Sequence, residues 1–304
     1  MTPAETTAYL APEGFAAELA HELGTDVEDL GGLFLVPGPP RPATWAANVW
    51  FEPKRLAISS IADGAKQLRA IQRNWALCPL RLHRRAALIQ DSLPHVSAKP
   101  LKFPSPAPTA PLGSWTLLAA DEILAAPRCA SPFPNGAVAF VEDKEGPPNR
   151  AYLKLWEALT VLGRWPGQGE TCLDLGSSPG GWTWALAQLG ARVISVDKAP
   201  LAPAVATLAN VETRRESAFA LKPADVGPVD WLFSDVVCYP ERLYRLVSAW
   251  LDSGLARNMV CTVKFQGATD FAAQALFAAI PGGRLCHLHH NKHELTWLWQ
   301  APGA

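Results

Sequence analysis

From Arg150 onward the apolar and polar positions fall into two alternating periods. Residues 150–162 space their apolar positions as an amphipathic helix does, and compact apolar runs at 171–176, 192–197, 211–215, 229–235 and 258–265 read as strands. Helical patterns at 180–190, 202–209, 241–253 and 269–280 fill the gaps. Strand–helix alternation of this kind predicts a mostly parallel sheet with helices on both faces. The chain then closes with 284–290, a short turn at Asn291-Lys292 and 294–300. That adds a hairpin with an antiparallel last strand, for a seven-stranded α/β sheet.

Before residue 148 the pattern is weaker. It predicts a helix over 15–23, a strand over 33–36, a basic helix over 60–75, and strands over 115–118 and 137–141, a small α+β module. Three proline-rich stretches punctuate the chain: Pro37 to Pro42, Lys99 to Pro111, and Gly146-Pro-Pro-Asn149. The second reads as an extended connector. The third marks the domain boundary, dividing an N-terminal α+β region, 1–147, from an α/β domain, 148–304. A length of 304 residues suits two domains.

Chemistry enters with Asp174-Leu-Gly-Ser-Ser-Pro-Gly-Gly-Trp182, which joins an apolar strand to a helical pattern. Glycines let backbone approach a ligand closely, and the helix start offers unpaired N–H groups. About 20 residues on, the second strand ends in Asp197, where a carboxylate can accept hydrogen bonds from both hydroxyls of a ribose. Strand, glycine turn, helix and carboxylate together indicate an adenosine-type cofactor. The spacing is not the G-x-G-x-x-G of dinucleotide sites, which argues against a dehydrogenase.

Net charge is −1, so overall charge announces no nucleic-acid partner. Its distribution does. Residues 1–50 carry Glu5, Glu13, Glu18, Glu22, Asp26, Glu28 and Asp29 against Arg41 alone. Residues 51–104 then carry Lys54, Arg55, Lys66, Arg69, Arg73, Arg81, Arg84, Arg85, Lys99 and Lys102 against Glu52, Asp63 and Asp91. A basic face supplies phosphate contacts, although such faces are often merely solvated. The six cysteines are scattered and form no C-x-x-C, which fits a reducing cytoplasm with neither disulfides nor a metal site. Glu5 and Glu13 break up the first segment, so no signal peptide is read, and no apolar run approaches a membrane span.

The loop Asp-Leu-Gly-x-x-Pro-Gly-Gly-Trp resembles that of the FtsJ-like ribose 2′-O-methyltransferases, and the seven-stranded sheet with its terminal hairpin resembles their Rossmann-like methyltransferase fold. The likeness covers 149–300. Asn149-Arg-Ala-Tyr-Leu-Lys-Leu155 is similar to the family's Ser-Arg-Ala-x-x-Lys-Leu, Phe233-Ser-Asp235 ends the fourth strand, Thr262-Val-Lys264 ends the fifth, and His293-Glu-Leu-Thr296 opens the last. The resemblance thus implies a catalytic tetrad of Lys154, Asp235, Lys264 and Glu294. It also implies S-adenosylmethionine bound by Asp174, Gly176, Ser177, Pro179, Gly180, Gly181, Trp182, Asp197 and Asp235. Where the family usually has an aspartate for the adenine amino group, this chain has Ser217.

The residue types make chemical sense without the family. A ribose 2′-hydroxyl is a weak nucleophile near neutral pH, and a lysine can take its proton only when its pKa is pulled down by desolvation or a second ammonium. Lys154 is expected to be that second charge for Lys264, with Asp235 and Glu294 fixing the ammonium groups and the hydroxyl. Singly, Lys154 would be an ordinary helix lysine, Asp235 a turn cap and Glu294 an edge charge. Within the family, Pro-Gly-Gly-Trp-Thr, Ser-Val-Asp-x-x-Pro and Pro12-Glu-Gly-Phe15 resemble the RlmM-type branch. That branch methylates a cytidine ribose of bacterial large-subunit ribosomal RNA and has a THUMP RNA-binding region in its N-terminal half. The implied partner is RNA, ribosomal or in a pre-ribosomal particle. Two other functions stay open here: a methyltransferase for another RNA or for small molecules, and an RNA-binding assembly protein with a vestigial fold.

Overall fold

In the computed structural model, which describes residues 6–303, the α/β half forms one seven-stranded sheet. Its elements are α1 (Tyr152–Leu162), β1 (Thr171–Leu175), α2 (Gly181–Gln188), β2 (Arg192–Val196), α3 (Pro203–Ala206), β3 (Val211–Arg214), α4 (Pro223–Val226), β4 (Val229–Ser234), α5 (Pro240–Ser253), β5 (Ala256–Lys264), α6 (Phe271–Ala278), β6 (Gly283–Cys286) and β7 (Glu294–Gln300). The strand order is β3-β2-β1-β4-β5-β7-β6. Strands β1 to β5 run parallel, and β7 lies antiparallel between β5 and β6.

The order follows from the sequence of each strand. The inner strands β1, β4 and β5 are almost continuously buried, as strands covered on both faces are. β3, Val-Glu-Thr-Arg, is polar and takes one edge. Helix α5 buries Leu243, Leu246, Val247 and Trp250, an i, i+3, i+4, i+7 stripe, and ends on Gly254 in the left-handed conformation. Phe277 and Trp297 pack on one face of the sheet and Trp231 and Phe233 on the other, all fully buried. Because the strand order reverses between β1 and β4, their C-terminal ends open a crevice, the usual ligand position in such sheets.

The N-terminal unit is α+β. One sheet orders Glu28–Asp29, Leu33–Pro37, Thr6–Leu10, Asn48–Phe51 and Arg128–Cys129 side by side. The second orders Lys54–Ala57, Glu122–Ala126, Gly113–Ala119 and Trp75–Leu77. Helices span Ala16–Leu23, Ile61–Ile71 and His83–Asp91. The Ser60 hydroxyl caps the second of these by accepting from Asp63 N, and Trp75 fixes its end by donating from its indole to Leu68 O at 2.9 Å.

Several expectations change. The basic helix ends at Ile71, four residues early, because Trp75 is drawn into the sheet. Residues 137–141 form no ladder; Val138 and Phe140 are buried as irregular chain after Pro132, Pro134 and Gly136. The helix His83–Asp91 was not anticipated, and the stretch from Lys99 to Pro111 forms no regular element. The first unit comprises Met1–Leu101 and Ala107–Ala139, the second Lys102–Pro106 and Phe140–Ala304. The expected division at 147/148 therefore falls inside the second unit. Aromatic packing explains it: Trp156 of α1 stacks on Phe103 at 4.9 Å and meets Phe140 edge-on at 5.6 Å.

Glu5 lies outside the described residues. All six cysteines are free thiols. Among the described residues no helix is long and apolar enough to cross a membrane, and no cluster of three or more His, Cys, Asp or Glu side chains could hold a metal ion.

Candidate active site

Four charged side chains meet where β4 and β5 end. Asp235 follows the last residue of β4, Lys264 ends β5, and Glu294 opens β7 directly opposite Lys264 in the antiparallel register. Lys154 comes from the first turn of α1. That turn is pinned from three sides: Asn149 Oδ1 accepts from Ala151 N at 3.0 Å, the Trp182 indole donates to Ala151 O at 2.9 Å, and the Tyr152 hydroxyl donates to Asp143 O at 2.9 Å.

The contacts are short. Lys154 Nζ lies 3.0 Å from Asp235 Oδ1 and 2.6 Å from Glu294 Oε1. Lys264 Nζ lies 3.0 Å from the same Asp235 oxygen and donates to the Asp235 backbone carbonyl at 2.7 Å. The structure thus brings together all four residues singled out in the sequence. None is freely solvated: side-chain exposure is 9% for Lys154, 17% for Asp235, 20% for Lys264 and 11% for Glu294.

Their electrostatics differ in one respect from the expectation. Burial works to lower the Lys154 ammonium, but the Asp235 and Glu294 carboxylates outweigh it and hold Lys154 above the ordinary lysine range. Burial likewise works against the Asp235 carboxylate, and Lys154 and Lys264 outweigh it, holding that carboxyl below the usual range. Both lysines share the Asp235 carboxylate at 3.0 Å, and Lys154 lies closer still to Glu294, at 2.6 Å. Lys154 is therefore a fixed cation that orients carboxylates, and not a bare repulsive neighbour of Lys264.

The glycine loop lies along the same edge of the sheet. Gly176 adopts a φ of +78°, and a Cβ there would meet Val236 Cα at 2.7 Å, so only glycine allows the chain after Asp235 to pass so close. Gly181 opens α2 beneath the Asn149 side chain, where a Cβ would meet Asn149 Oδ1. The glycine loop and the Asn149-Arg-Ala segment thus interlock, which the sequence alone did not show. Behind the loop runs a buried hydroxyl chain: Thr183 Oγ1 donates to Asp174 Oδ2 at 2.6 Å and lies 3.3 Å from Ser195 Oγ, which donates to Ser177 Oγ at 2.6 Å. Burial pushes the Asp174 carboxyl up to about 7, and its Oδ1 has no hydrogen-bond partner.

Asp197 stands at the end of β2, half-buried, with Oδ2 accepting from Ser178 N at 3.0 Å and Oδ1 from Ala199 N at 2.9 Å. Each oxygen keeps a second lone pair for a ligand hydroxyl. Pro179 is exposed, Gly180 caps α2, and Ser217 lies half-buried in the loop after β3. Trp182 is 3% exposed and its single polar donor is committed to Ala151, so it fastens α1 to the loop.

Residues 147–257 match the family model described as FtsJ-like methyltransferase. Over those residues the C-terminal unit is similar to the FtsJ-like methyltransferases. The resemblance read in the glycine loop is thereby borne out over these residues. The chain is 40% identical over 157 residues to a ribosomal RNA large subunit methyltransferase M from Halorhodospira halophila, covering 49% of this chain and 46% of that protein. The proteins of the same name from Aromatoleum aromaticum and Alkalilimnicola ehrlichii are 34% and 36% identical, with 49% and 52% of this chain and 44% and 47% of theirs covered. The chain spans about half the length of these relatives. Among solved structures, a ribosomal RNA methyltransferase from Plasmodium falciparum aligns over 50% of this chain and 96% of its own, at 15% identity and a TM-score of 0.39.

Two buried polar residues beside the cluster escaped the sequence reading, Glu157 on α1 and Asn291 in the turn before β7. Glu157 follows Lys154 by three positions and so shares its helix face. A glutamate followed by an apolar alternation looks like an ordinary solvated helix charge, and only the fold reveals its burial.

Proposed function

We propose that this chain transfers a methyl group from S-adenosylmethionine to a ribose 2′-hydroxyl of RNA, in bacterial large-subunit ribosomal RNA. The observation that carries the proposal is the convergence of Lys154, Asp235, Lys264 and Glu294 at one end of the sheet, beside the glycine loop. Small-molecule or base methylation has no use for two lysines locked between two carboxylates. A vestigial fold would have no reason to keep all four within ion-pair distance.

The cofactor fits this half of the site. Asp197 has free lone pairs for ribose hydroxyls, and the orphaned Asp174 Oδ1 offers an acceptor for a ligand donor near Gly176. When bound, S-adenosylmethionine would supply an electrophilic methyl on a positively charged sulfonium. Lys264 Nζ is the group placed to take the 2′-hydroxyl proton as the 2′-oxygen attacks. Asp235 holds Lys264 in place through both its carboxylate and its carbonyl. Lys154 remains charged and keeps Asp235 and Glu294 aligned, and Glu294 is the group placed to orient the hydroxyl.

RNA is held by the N-terminal unit. Lys66, Arg69, Arg73, Arg81 and Arg84 are exposed on or next to the helices Ile61–Ile71 and His83–Asp91, a density suited to phosphates. This unit acts as a THUMP-like RNA-binding module, and the protein works in the cytoplasm. The test is to incubate the protein with labelled S-adenosylmethionine and ribosomal RNA from cells lacking its gene, then map the label. Label on one ribose 2′-oxygen of large-subunit RNA supports the proposal. Label on a base, or transfer that survives Lys264→Ala, overturns it.

A further inference from the structure

The final hairpin does not turn where its apolar pattern ends. The pattern runs to His290, but β6 stops at Cys286 and residues 287–293 leave the ladder. The cause is Glu157. Its carboxylate, 4% exposed as a residue, accepts from His289 N at 2.7 Å and from His290 N at 2.9 Å, and lies 2.6 Å from His290 Nδ1. Three contacts across more than 130 positions of sequence tie this turn to α1.

The turn in turn holds Glu294. Asn291 Oδ1 accepts from Leu288 N at 2.6 Å and from Thr296 Oγ1 at 3.2 Å, while Asn291 Nδ2 points to Glu294 Oε1 at 3.4 Å. That oxygen is the one 2.6 Å from Lys154 Nζ. One face of α1 therefore grips the hairpin twice, through Lys154 on Glu294 and through Glu157 on the backbone four and five residues earlier. A buried carboxylate with both oxygens engaged by main-chain and ring groups is a rigid clamp.

We propose that Glu157 is a positioning residue for methyl transfer, acting through the 287–291 turn and Asn291 to hold Glu294 against Lys154. The inference rests on the reading of the four charged residues as the catalytic group. Glu157→Gln puts an amide where two N–H donors and a ring nitrogen converge, so at least one contact becomes donor against donor. The turn then loosens and Glu294 drifts. Misplacement of about 1 Å at a reacting centre costs on the order of 10²-fold in rate.

The experiment measures single-turnover methyl transfer, S-adenosylmethionine affinity and melting for Glu157→Gln, Asn291→Ser, Glu294→Gln and the doubles with Glu294→Gln. Glu157→Gln should lower kcat on the order of 10²-fold, with KM for RNA and cofactor affinity unchanged. In the Glu294→Gln background the same change should cost almost nothing, since Glu157 acts through Glu294. Asn291→Ser should reproduce the pattern, and keeps the test open if Glu157→Gln does not fold. An independent readout is the titration of Lys154 Nζ in ¹⁵N-lysine-labelled protein. It should move down in Glu157→Gln as Lys154 loses Glu294, whether or not any RNA is methylated. Multiplicative losses in the double variant, or an unchanged Lys154 titration, would overturn the proposal. Absence of transfer by the unmodified protein, with Lys154 still shifting, would sink the catalytic reading and leave the clamp standing.

Discussion

Replacing Lys154 by methionine tests whether the four-residue cluster is a buried ion network or a surface one. The methionine keeps most of the stem and removes the charge. In the native protein Lys154 Nζ sits 3.0 Å from Asp235 and 2.6 Å from Glu294, with side-chain exposures of 9%, 17% and 11%. Arg192 and Glu212 provide the control, because they are equally close at 2.7 Å but 60% and 39% exposed. Distance is matched and burial is not. Without Lys154, Asp235 keeps Lys264, but Glu294 keeps only Asn291 Nδ2 at 3.4 Å. Removing one partner of a buried pair costs about 3–5 kcal/mol, whereas an exposed pair contributes about 0–1 kcal/mol. For a unit of this size each kcal/mol lowers the melting temperature by about 2–4 °C. The drop should be about 10 °C for Lys154→Met and no more than a few degrees for Arg192→Met.

The pH dependence of that gap carries its own sign. Asp235, held below its ordinary value, stabilises fully above about pH 4 and loses the contribution as pH falls through its depressed folded value. Lys154, held above its ordinary value, stabilises fully below about pH 10 and loses the contribution as pH rises through its raised folded value. The stability difference between wild type and Lys154→Met should form a plateau between these limits and shrink on both sides. Urea unfolding followed by tryptophan fluorescence across pH 2–11 measures it. A gap under about 1 kcal/mol at pH 7, equal to that of Arg192→Met, would show that solvent screens these pairs, and the argument for a preorganised cluster would collapse.

Four further outcomes follow from the same geometry. Lys264→Arg should lose transfer almost as completely as Lys264→Ala, by about 10²–10⁴-fold, because a guanidinium cannot give up its proton; near-normal turnover by the arginine variant would reduce Lys264 to a positive charge. Asp197→Ala should weaken S-adenosylmethionine binding by about 1–3 kcal/mol in calorimetry, and unchanged affinity would remove Asp197 from the site. Asp174 is raised to about 7 by burial, so its stabilising contribution is complete below the ordinary aspartate value and is lost as pH rises through 7; Asp174→Asn should therefore gain stability relative to wild type between pH 4 and 8, and a pH-independent difference would contradict this. Charge reversal at Arg69, Arg73, Arg84 and Arg85 should weaken RNA binding and flatten its salt dependence, and an unaltered slope would place them on a solvated face.

The α/β half was legible because its strands and helices announce themselves by period. Strands such as Cys172 to Leu175 are mostly apolar and bounded by turn residues, so their positions follow from the sequence within a residue or two. Individual charged residues at strand ends were legible for a related reason: Lys264 closes an apolar run where an unpaired lysine is rare. The N-terminal unit resisted because its strands are short and its sheets are built from distant pieces. Trp75–Leu77 pairs with Gly113–Trp115 across a proline-rich stretch, and Arg128–Cys129 joins a sheet begun at Thr6. Local periodicity carries no information about such pairings. The helix His83–Asp91 was hidden by its charge, with His83, Arg84 and Arg85 opening it where a first turn ordinarily prefers acids.

What the sequence could not convey is why these particular side chains meet. The glycine loop fixes where a cofactor can lie, but three of the four charged residues owe their convergence to the strand order. Asp235 and Lys264 end adjacent parallel strands, so they face the same crevice by topology alone. Glu294 reaches them only because β7 inserts antiparallel between β5 and β6, which sets its first residue opposite the last residue of β5. A sixth parallel strand in that place would present its N-terminal end on the far side of the sheet. The register of β7 therefore sets the geometry of the cluster. A one-residue slip would turn Glu294 to the other face, and the contacts that resist it, Asn291 to Leu288 and Glu157 to His289 and His290, lie outside the four charged residues. The charged cluster is small, and the structure that holds it in place extends one turn along α1 and one turn back from β7.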